Sequence, residues 1–498
     1  MNKPIVLGIA GSLRNGRWGS GKKGLVRDIM AIENEDELFT YLKVQSELHL
    51  DNFVQAGRKE GKDFSEIYSS LKKNPGDVGL SNSEVALAAA MWGAAQQGTE
   101  LEYVSLLEHF KGADRLCDED VLKKKIMEAD GLLISGPVYF GDRGSLVTKL
   151  FNFIKRDPEL RESIKGKVYG GLAVGAKRNG GQETTLIYQM SDMLEFGVLG
   201  VGNDSDTTSQ YGGTCVGGDV GTVHRDEYGL RTSIGTGRRV GRVLNELSYG
   251  DRMKAKPRAL FLILQESNGI AEKGVNRYLE AFSEELDSTV LNVTELEVNP
   301  CIACDICPTH IDVDEEYRCI VRTKRDAFVK IHETLLDYDM IVPVVVSVKE
   351  GATIESVYQL FIERTRYLRR GDYVFSDLLT CPLIFEEIGA GGSYAIRLMT
   401  SFVRHHTIMF KPTIEYIHNG VALNESESIE NFKAAVGLLP KIVTGRFMVE
   451  SGRTKYNPIG YVLSVDKDKE DEKLAKRRES YNSRVARVRK LSVKKLKG

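Results

Sequence analysis

Four of the seven cysteines in this 498-residue chain stand together in "CIACDICPTHIDVDEEYRC", at Cys301, Cys304, Cys307 and Cys319. Three cysteines at intervals of three can turn their thiolates inward on one loop, and a fourth completes a four-cornered set. A [4Fe–4S] cluster takes four such corners. Zinc also accepts four thiolates, although it more often sits between two separated Cys-x-x-Cys hooks. Free thiols are a third reading of the same residues. The arm between Cys307 and Cys319 holds eleven residues, among them His310, which is either a substitute ligand or a surface histidine. Cys117, Cys215 and Cys381 are isolated in sequence and read as buried small apolar residues.

A second group of residues is suited to binding a phosphate and a flat ring. "GIAGSLRNG" (8–16) closes an apolar run with glycine, serine, arginine and asparagine. Small residues let the backbone approach a phosphate, whose oxygens take bonds from amides, hydroxyls and a helix N-terminus. "ADGLLISGPVYFGDRGSLVTKLF" runs a buried strand into an aromatic-bearing loop, and "VGAKRNGGQETT" adds another glycine-rich turn.

These loops need a scaffold that brings them to one edge. In the first 250 residues, apolar β-rich runs ("PIVLGIAGS", "ELEYVSL", "DGLLISGPV", "KVYGGLAVG", "VLGVGND") alternate with helix-period segments. Five βα units in that order predict a doubly wound parallel sheet with helices on both faces, which binds ligands at the carboxyl ends of its strands. The plan restarts after a short linker, 251–257, with "RALFLILQ", "TVLNVTEL", a helix over "AFVKIHETLLDYD", "MIVPVVVS", "LLTCPLIFEEIG" and "KPTIEYIHN". The expected organisation is two tandem α/β domains, 1–250 and 258–455, each with a five-stranded parallel sheet. A mostly helical insertion at 17–80 interrupts the first, and a charged tail at 456–498 follows the second. The tail is either a docking element for an acidic partner or a solvated end.

The three loops of the first half resemble those of the NAD(P)H-dependent FMN reductase and iron–sulfur flavoprotein family, which is flavodoxin-like. That family carries a Gly-Ser-x-Arg phosphate loop, an Ala-Asp-Gly strand ending in Ser-Pro-Val-Tyr, and a Gly-Gly-Gln-Glu loop. The resemblance implies FMN, with Ser12, Arg14, Asn15, Ser81, Asn82 and Ser83 around its phosphate. Pro137, Val138, Tyr139, Phe140 and Gly141 would line the isoalloxazine ring, with Gly180, Gly181 and Gln182 nearby. One departure is visible: the helix start "LSNSEVA" follows the phosphate loop only after the insertion, which would lie over the site as a lid or distort it.

The cysteine stretch, "FIERT" and "GAGGSYAIRLMTSFVRHH" are similar to segments of the same family, although its fourth cysteine follows sooner than here. The resemblance therefore implies a cluster on Cys301, Cys304, Cys307 and Cys319. The flavin loops of this half are altered. Glu266 stands where a dianionic phosphate would sit, and "VPVVVSVKEG" lacks the tyrosine and flanking glycine. Like-charge repulsion predicts weak or absent FMN binding there.

The implied function is electron transfer from NAD(P)H through FMN on the first half to a cluster on the second, and on to a small-molecule or protein acceptor. A metal-free FMN or quinone reductase and a non-catalytic carrier or interaction protein are the alternatives. No side chain is assigned as a catalytic acid or base. The pairing of halves predicts an intramolecular pseudo-dimer or a homo-oligomer. A net charge of −2 predicts no general attraction to nucleic acid or membrane, and the N-terminus shows no signal pattern, so a cytoplasmic protein is expected.

Overall fold

The computed structural model describes residues 3–13, 22–57, 63, 65–66, 79–111, 115–204, 211–303, 319–321, 323–332, 334–336, 338–349, 354–372 and 375–448. Two compact units are present, 1–245 and 246–498. No helix among the described residues is long and apolar enough to cross a membrane.

In the first unit β1 (Ile5–Ala10) is rich in branched apolar residues and buried on both faces, as a central parallel strand requires. It lies between β2 (Glu100–Ser105) and β3 (Gly131–Tyr139), with Ala10 opposite both Ser105 and Ser135. Next to β3 runs β5 (Val168–Gly175), also wholly buried. Between them in the chain, the two-residue strand β4 (Asp142–Arg143) folds back on β3. The sheet order β2-β1-β3-β5, continued by two short strands, is the flavodoxin-like arrangement.

The fifth strand differs from the expectation of one run over "VLGVGND". Only β6 (Leu199–Gly200) pairs there, against Val168 and Tyr169. A second piece, β7 (Gly213–Val216), pairs with Leu172 to Gly175 further along the same strand. An eight-residue strand is long enough to take two short partners in succession.

Helix α3 (Asn82–Ala95) follows α1 (Lys22–Met30) and α2 (Glu35–Gly57), which come from the insertion. Every residue of α3 from Ser83 to Ala94 is buried, because the sheet covers one side and the insertion another. The Trp92 indole donates to the Ile32 carbonyl at 3.0 Å, and the Leu80 amide to that of Gln45 at 3.1 Å. Its third side meets α7 (Glu227–Ser248) with backbones in contact: a Cβ on Gly237 would lie 1.6 Å from the Ala90 oxygen. The small residues Ala90 and Gly93 of α3 let the two helices approach this closely. The other helices of this unit include α4 (Glu119–Glu128), α5 (Ser145–Arg156) and α6 (Gln182–Glu195).

The second unit repeats the strand order. Its central strand β8 (Arg258–Gln265) lies between β9 (Asp287–Asn292) and β10 (Met340–Ser347). Here too one long strand takes two partners, β11 (Leu379–Thr380) and β12 (Leu383–Glu387), each flanked in turn by β13 (Ile408–Met409) or β14 (Thr413–His418). Its helices include α8 (Ile270–Ala281), α9 (Ser356–Arg364), α10 (Tyr394–Val403) and α11 (Glu425–Met448). Where a helix is expected over "AFVKIHETLLDYD", the described residues form one helical turn at Phe328–Ile331 and a 3₁₀ turn at Thr334–Leu336. Tertiary bonds compete with helix propensity in this stretch: Asp326 pairs with Arg364, and His332 Nδ1 lies 2.8 Å from the Tyr367 hydroxyl.

Candidate flavin site on the strand ends of the first unit

The loops marked in the sequence meet at the carboxyl edge of the first sheet. After β1, the Gly11 amide donates to the Ser135 carbonyl at 2.7 Å, and Ser12 is buried beside it. A Cβ on Gly11 would lie 2.4 Å from Val147 of α5, so glycine is needed for this approach. Arg14 and Asn15 lie outside the described residues.

The N-terminus of α3 comes to the same place, since the Ser135 hydroxyl donates to the Ser83 carbonyl at 2.7 Å. Ser81 caps the helix: it accepts the Glu84 amide, and Glu84 in return accepts the Ser81 amide at 2.9 Å. This capping box leaves the amides of Asn82 and Ser83 as the outward donors of the helix end. Behind them the wholly buried Glu84 carboxylate takes a 2.6 Å bond from the Tyr103 phenol. Burial, reinforced by that carboxylate, raises the phenol's pKa and keeps it a donor.

The Asn82 side chain bonds within the protein. Its Nδ2 donates to the carbonyls of Asp219 (2.8 Å) and Gly217 (3.4 Å), and its Oδ1 accepts the Val223 amide at 3.3 Å. It thereby fastens a fourth loop, 217–223, to the helix end. This loop was not singled out from the sequence, although its "GGDVGT" run carries the same small-residue signature.

The ring loop is a tight hairpin. Val138 pairs with Arg143 and Tyr139 with Asp142, so the turn consists of Phe140 and Gly141 alone, at φ +52° and +78°. A two-residue turn with both φ values positive matches the twist of the strands. Glycine adopts that conformation freely, whereas a phenylalanine there is strained by about 1–3 kcal/mol. Phe140 is fully exposed and Tyr139 56% exposed, so the hairpin presents two aromatic residues outward. Arg143 anchors the hairpin from below: its guanidinium pairs with Asp192 of α6 and lies 4.6 Å from the Phe151 ring of α5.

The third loop abuts this hairpin. Gly181 has φ +97°, and a Cβ there would lie 2.7 Å from the Gly141 Cα and 3.4 Å from Val138. Gln182 braces the loop from inside, accepting the Gly180 amide at 2.9 Å and donating to the carbonyls of Lys177 (2.8 Å) and Cys215 (3.2 Å). Gln182 is buried, so it supports the loop while Gly180 and Gly181 form its surface. Four loops thus surround exposed aromatic residues and open helix-end amides, a donor set and a cradle that fit a flavin mononucleotide.

In the second unit the matching helix end is filled by the chain itself. The Glu266 carboxylate accepts the amides of Ser267 (2.6 Å), Ala271 (3.2 Å) and Glu272 (3.0 Å) at the start of α8. Gln265 beside it bonds the Val346 carbonyl (3.0 Å), the Tyr394 hydroxyl (2.8 Å) and the Glu355 amide (3.1 Å). At the altered ring loop the Lys349 amide is taken by Glu387 at 2.9 Å.

Cys301 and Cys319 are both half-buried, while Cys304, Cys307 and His310 lie outside the described residues. Among the described residues no group of three or more His, Cys, Asp or Glu is placed to hold a metal ion. Cys215 and Cys381 are buried as expected, and Cys117 is half-buried. Burial pushes the Cys215 and Cys381 thiols up to about 12. In native, iron-free protein a thiol-disulfide reagent at pH 8 should therefore modify Cys301 and Cys319 at least about tenfold faster than these two, a gap that peptide mapping measures and urea removes.

A model of the NADPH-dependent FMN reductase family matches residues 66–202. The match begins beyond β1 and most of the insertion, and takes in α3, the ring hairpin and the third loop. An iron–sulfur flavoprotein of Methanocaldococcus jannaschii is 34% identical over 176 residues, which is 33% of this chain and 90% of the relative. The chain belongs to the NADPH-dependent FMN reductase family. Other relatives are an iron–sulfur flavoprotein of Methanosarcina thermophila (29% identical; 35% of this chain, 93% of the relative) and an NAD(P)H dehydrogenase (quinone) of Caulobacter vibrioides (28% identical; 32% and 88%). As a family member the protein is an NAD(P)H-dependent flavin oxidoreductase, with FMN as its flavin.

Proposed function

We propose that FMN binds the strand ends of the first unit, with its phosphate at the Asn82 and Ser83 amides and beside Ser12, Arg14 and Asn15. The observation that carries this reading is the contact between Gly141 and Gly181, which sets Tyr139 and Phe140 at the mouth of a four-loop cradle. Bound FMN supplies hydride acceptance from NAD(P)H and release of electrons one or two at a time. The chain's own residues position and shield. Pro137 to Gly141 face the ring, Gly180 and Gly181 let the backbone close on it, and Arg143 with Gln182 keeps both loops in register. In this reading no side chain acts as a proton donor or acceptor.

Cys301, Cys304, Cys307 and Cys319 would hold a [4Fe–4S] cluster, which supplies one-electron transfer to a small-molecule or protein acceptor. The half-buried Cys301 and Cys319, together with the family's iron–sulfur flavoproteins, support this assignment. Anaerobic purification followed by a visible spectrum, iron analysis and NAD(P)H oxidation assays tests both parts. Flavin bands with broad cluster absorbance and about four irons per chain are expected. Flavin without iron, but with NAD(P)H oxidation intact, would leave a metal-free reductase.

The stoichiometry is expected to be one FMN per chain. In the second unit the amides a phosphate needs already serve Glu266, and a second anion beside that carboxylate is repelled. Release of flavin by heat, quantified against protein concentration, reads this directly. Two FMN per chain would refute the assignment of Glu266 as a resident anion.

A further inference from the structure

Arg364 ends α9 and is 1% exposed, although the chain offers many surface positions where a guanidinium would stay hydrated. Its partners explain the burial. One nitrogen, Nη1, donates to the Asn299 carbonyl at 3.0 Å. The other, Nη2, donates to the Val321 carbonyl at 3.1 Å and to Asp326 Oδ2 at 2.8 Å. Asn299 is two residues before Cys301, and Val321 is two residues after Cys319. One planar group therefore grips both ends of the cysteine segment.

The neighbours complete the grip. Asp326 Oδ1 accepts the Asn299 amide at 3.3 Å, and Asn299 Nδ2 donates to the Thr323 hydroxyl at 2.9 Å. The Ala327 amide donates to the Glu297 carbonyl at 2.8 Å, and the Arg364 guanidinium lies 4.8 Å from the Phe328 ring. A fork with several donors in one plane can bond two carbonyls and a carboxylate together, which an ammonium cannot do in the same geometry. The first unit provides a comparison. Its helix α5 ends in the same Phe-Ile-x-Arg pattern (Phe153 to Arg156), but Arg156 is exposed, and that unit has no cysteine segment.

We propose that Arg364, held by Asp326, is a positioning residue that fixes the two ends of the cysteine segment and so sets Cys301 and Cys319 for metal binding. The metal-binding clause rests on the cluster reading above; the clasp itself does not.

The test uses the full chain. Arg364→Lys keeps a charge for Asp326 but loses the fork, and the double variant Arg364→Met/Asp326→Asn removes both charges, so that neither is left buried alone. FMN content of the first unit serves as the internal control for folding. After anaerobic reconstitution, both variants should retain FMN at the wild-type level and lose iron to a chelator at least about tenfold faster than wild type. Iron loss at the wild-type rate in both variants would overturn the proposal.

A wild type that takes up no iron would sink the cluster reading while leaving the clasp open to a second measurement. In a Cys304→Ser/Cys307→Ser background, a short bifunctional thiol reagent should join Cys301 to Cys319. The yield should fall at least about fivefold on Arg364→Lys, as expected if the fork is lost. An unchanged yield, or no cross-link with Arg364 intact, would overturn the clasp.

Discussion

Gly181→Val should weaken FMN binding at least about 100-fold while the protein still folds, because displacing a positioned contact by about 1 Å can cost that much. Two effects combine at this residue. Its φ of +97° is a conformation that L side chains rarely adopt, at a cost of about 1–3 kcal/mol. Its new Cβ would also lie 2.7 Å from the Gly141 Cα, a backbone atom that cannot rotate away. The third loop must then separate from the ring hairpin, and the cradle opens where the flavin ring is proposed to lie. Gly98→Val separates the two effects. Gly98 has φ +78° with nothing within 4 Å of a Cβ, so it carries similar strain without a clash. Its FMN affinity should stay within about twofold of wild type while stability falls by the strain alone. Fluorescence titration of FMN into the apoprotein of each variant measures the difference; equal affinities for both would show that the loop contact does not shape the site.

Gly237→Ala should destabilise the first unit by roughly 3–5 kcal/mol, at the upper end for a single substitution. The Cβ would lie 1.6 Å from the Ala90 oxygen and 2.5 Å from its carbonyl carbon, so α3 and α7 must move apart. The contact is reciprocal, since a Cβ on Gly93 would lie 2.2 Å from the Ile234 oxygen. Separating these helices also shifts the α3 N-terminus, which carries the open amides of Asn82 and Ser83. Urea denaturation followed by far-ultraviolet circular dichroism reads the stability, and Gly437→Ala in α11 is the control. Nothing lies within 4 Å of a Cβ at Gly437, so the substitution there should stabilise by about 0.5–1 kcal/mol through helix propensity. Equal effects at the two positions would contradict the backbone contact.

Local pattern made much of this legible in advance. The strand "MIVPVVVS" is β10 from Met340 to Ser347, because a fully buried parallel strand is a continuous branched apolar run bounded by polar turns. The ring loop could be read because an aromatic residue followed by glycine at the end of such a strand makes a short turn at the ligand edge. The split of the fifth strand into β6 and β7 was not legible, since short pairings take their stability from the neighbouring strand and carry little period of their own. The short turns at 328–331 and 334–336 escaped for a related reason: side-chain bonds to distant residues outweigh a modest helix propensity.

The sequence by itself marked the loops, through their resemblance to the FMN reductase family: glycine and serine at strand ends, an adjacent aromatic pair, and four cysteines in nineteen positions. Only the fold decided what each residue does there. It placed Gly181 against Gly141, gave the Asn82 side chain to the 217–223 loop, put Glu266 on three backbone amides, and closed Arg364 around the ends of the cysteine segment. Sequence period reports which face a residue lies on, through contacts three or four positions away. By contrast, three of these assignments depend on hydrogen-bond geometry and that of Gly181 on a close backbone approach: Glu266 reaches amides one to six positions on, while the others join residues 40 to 141 positions apart, whose meeting is settled by how the sheet and its helices pack.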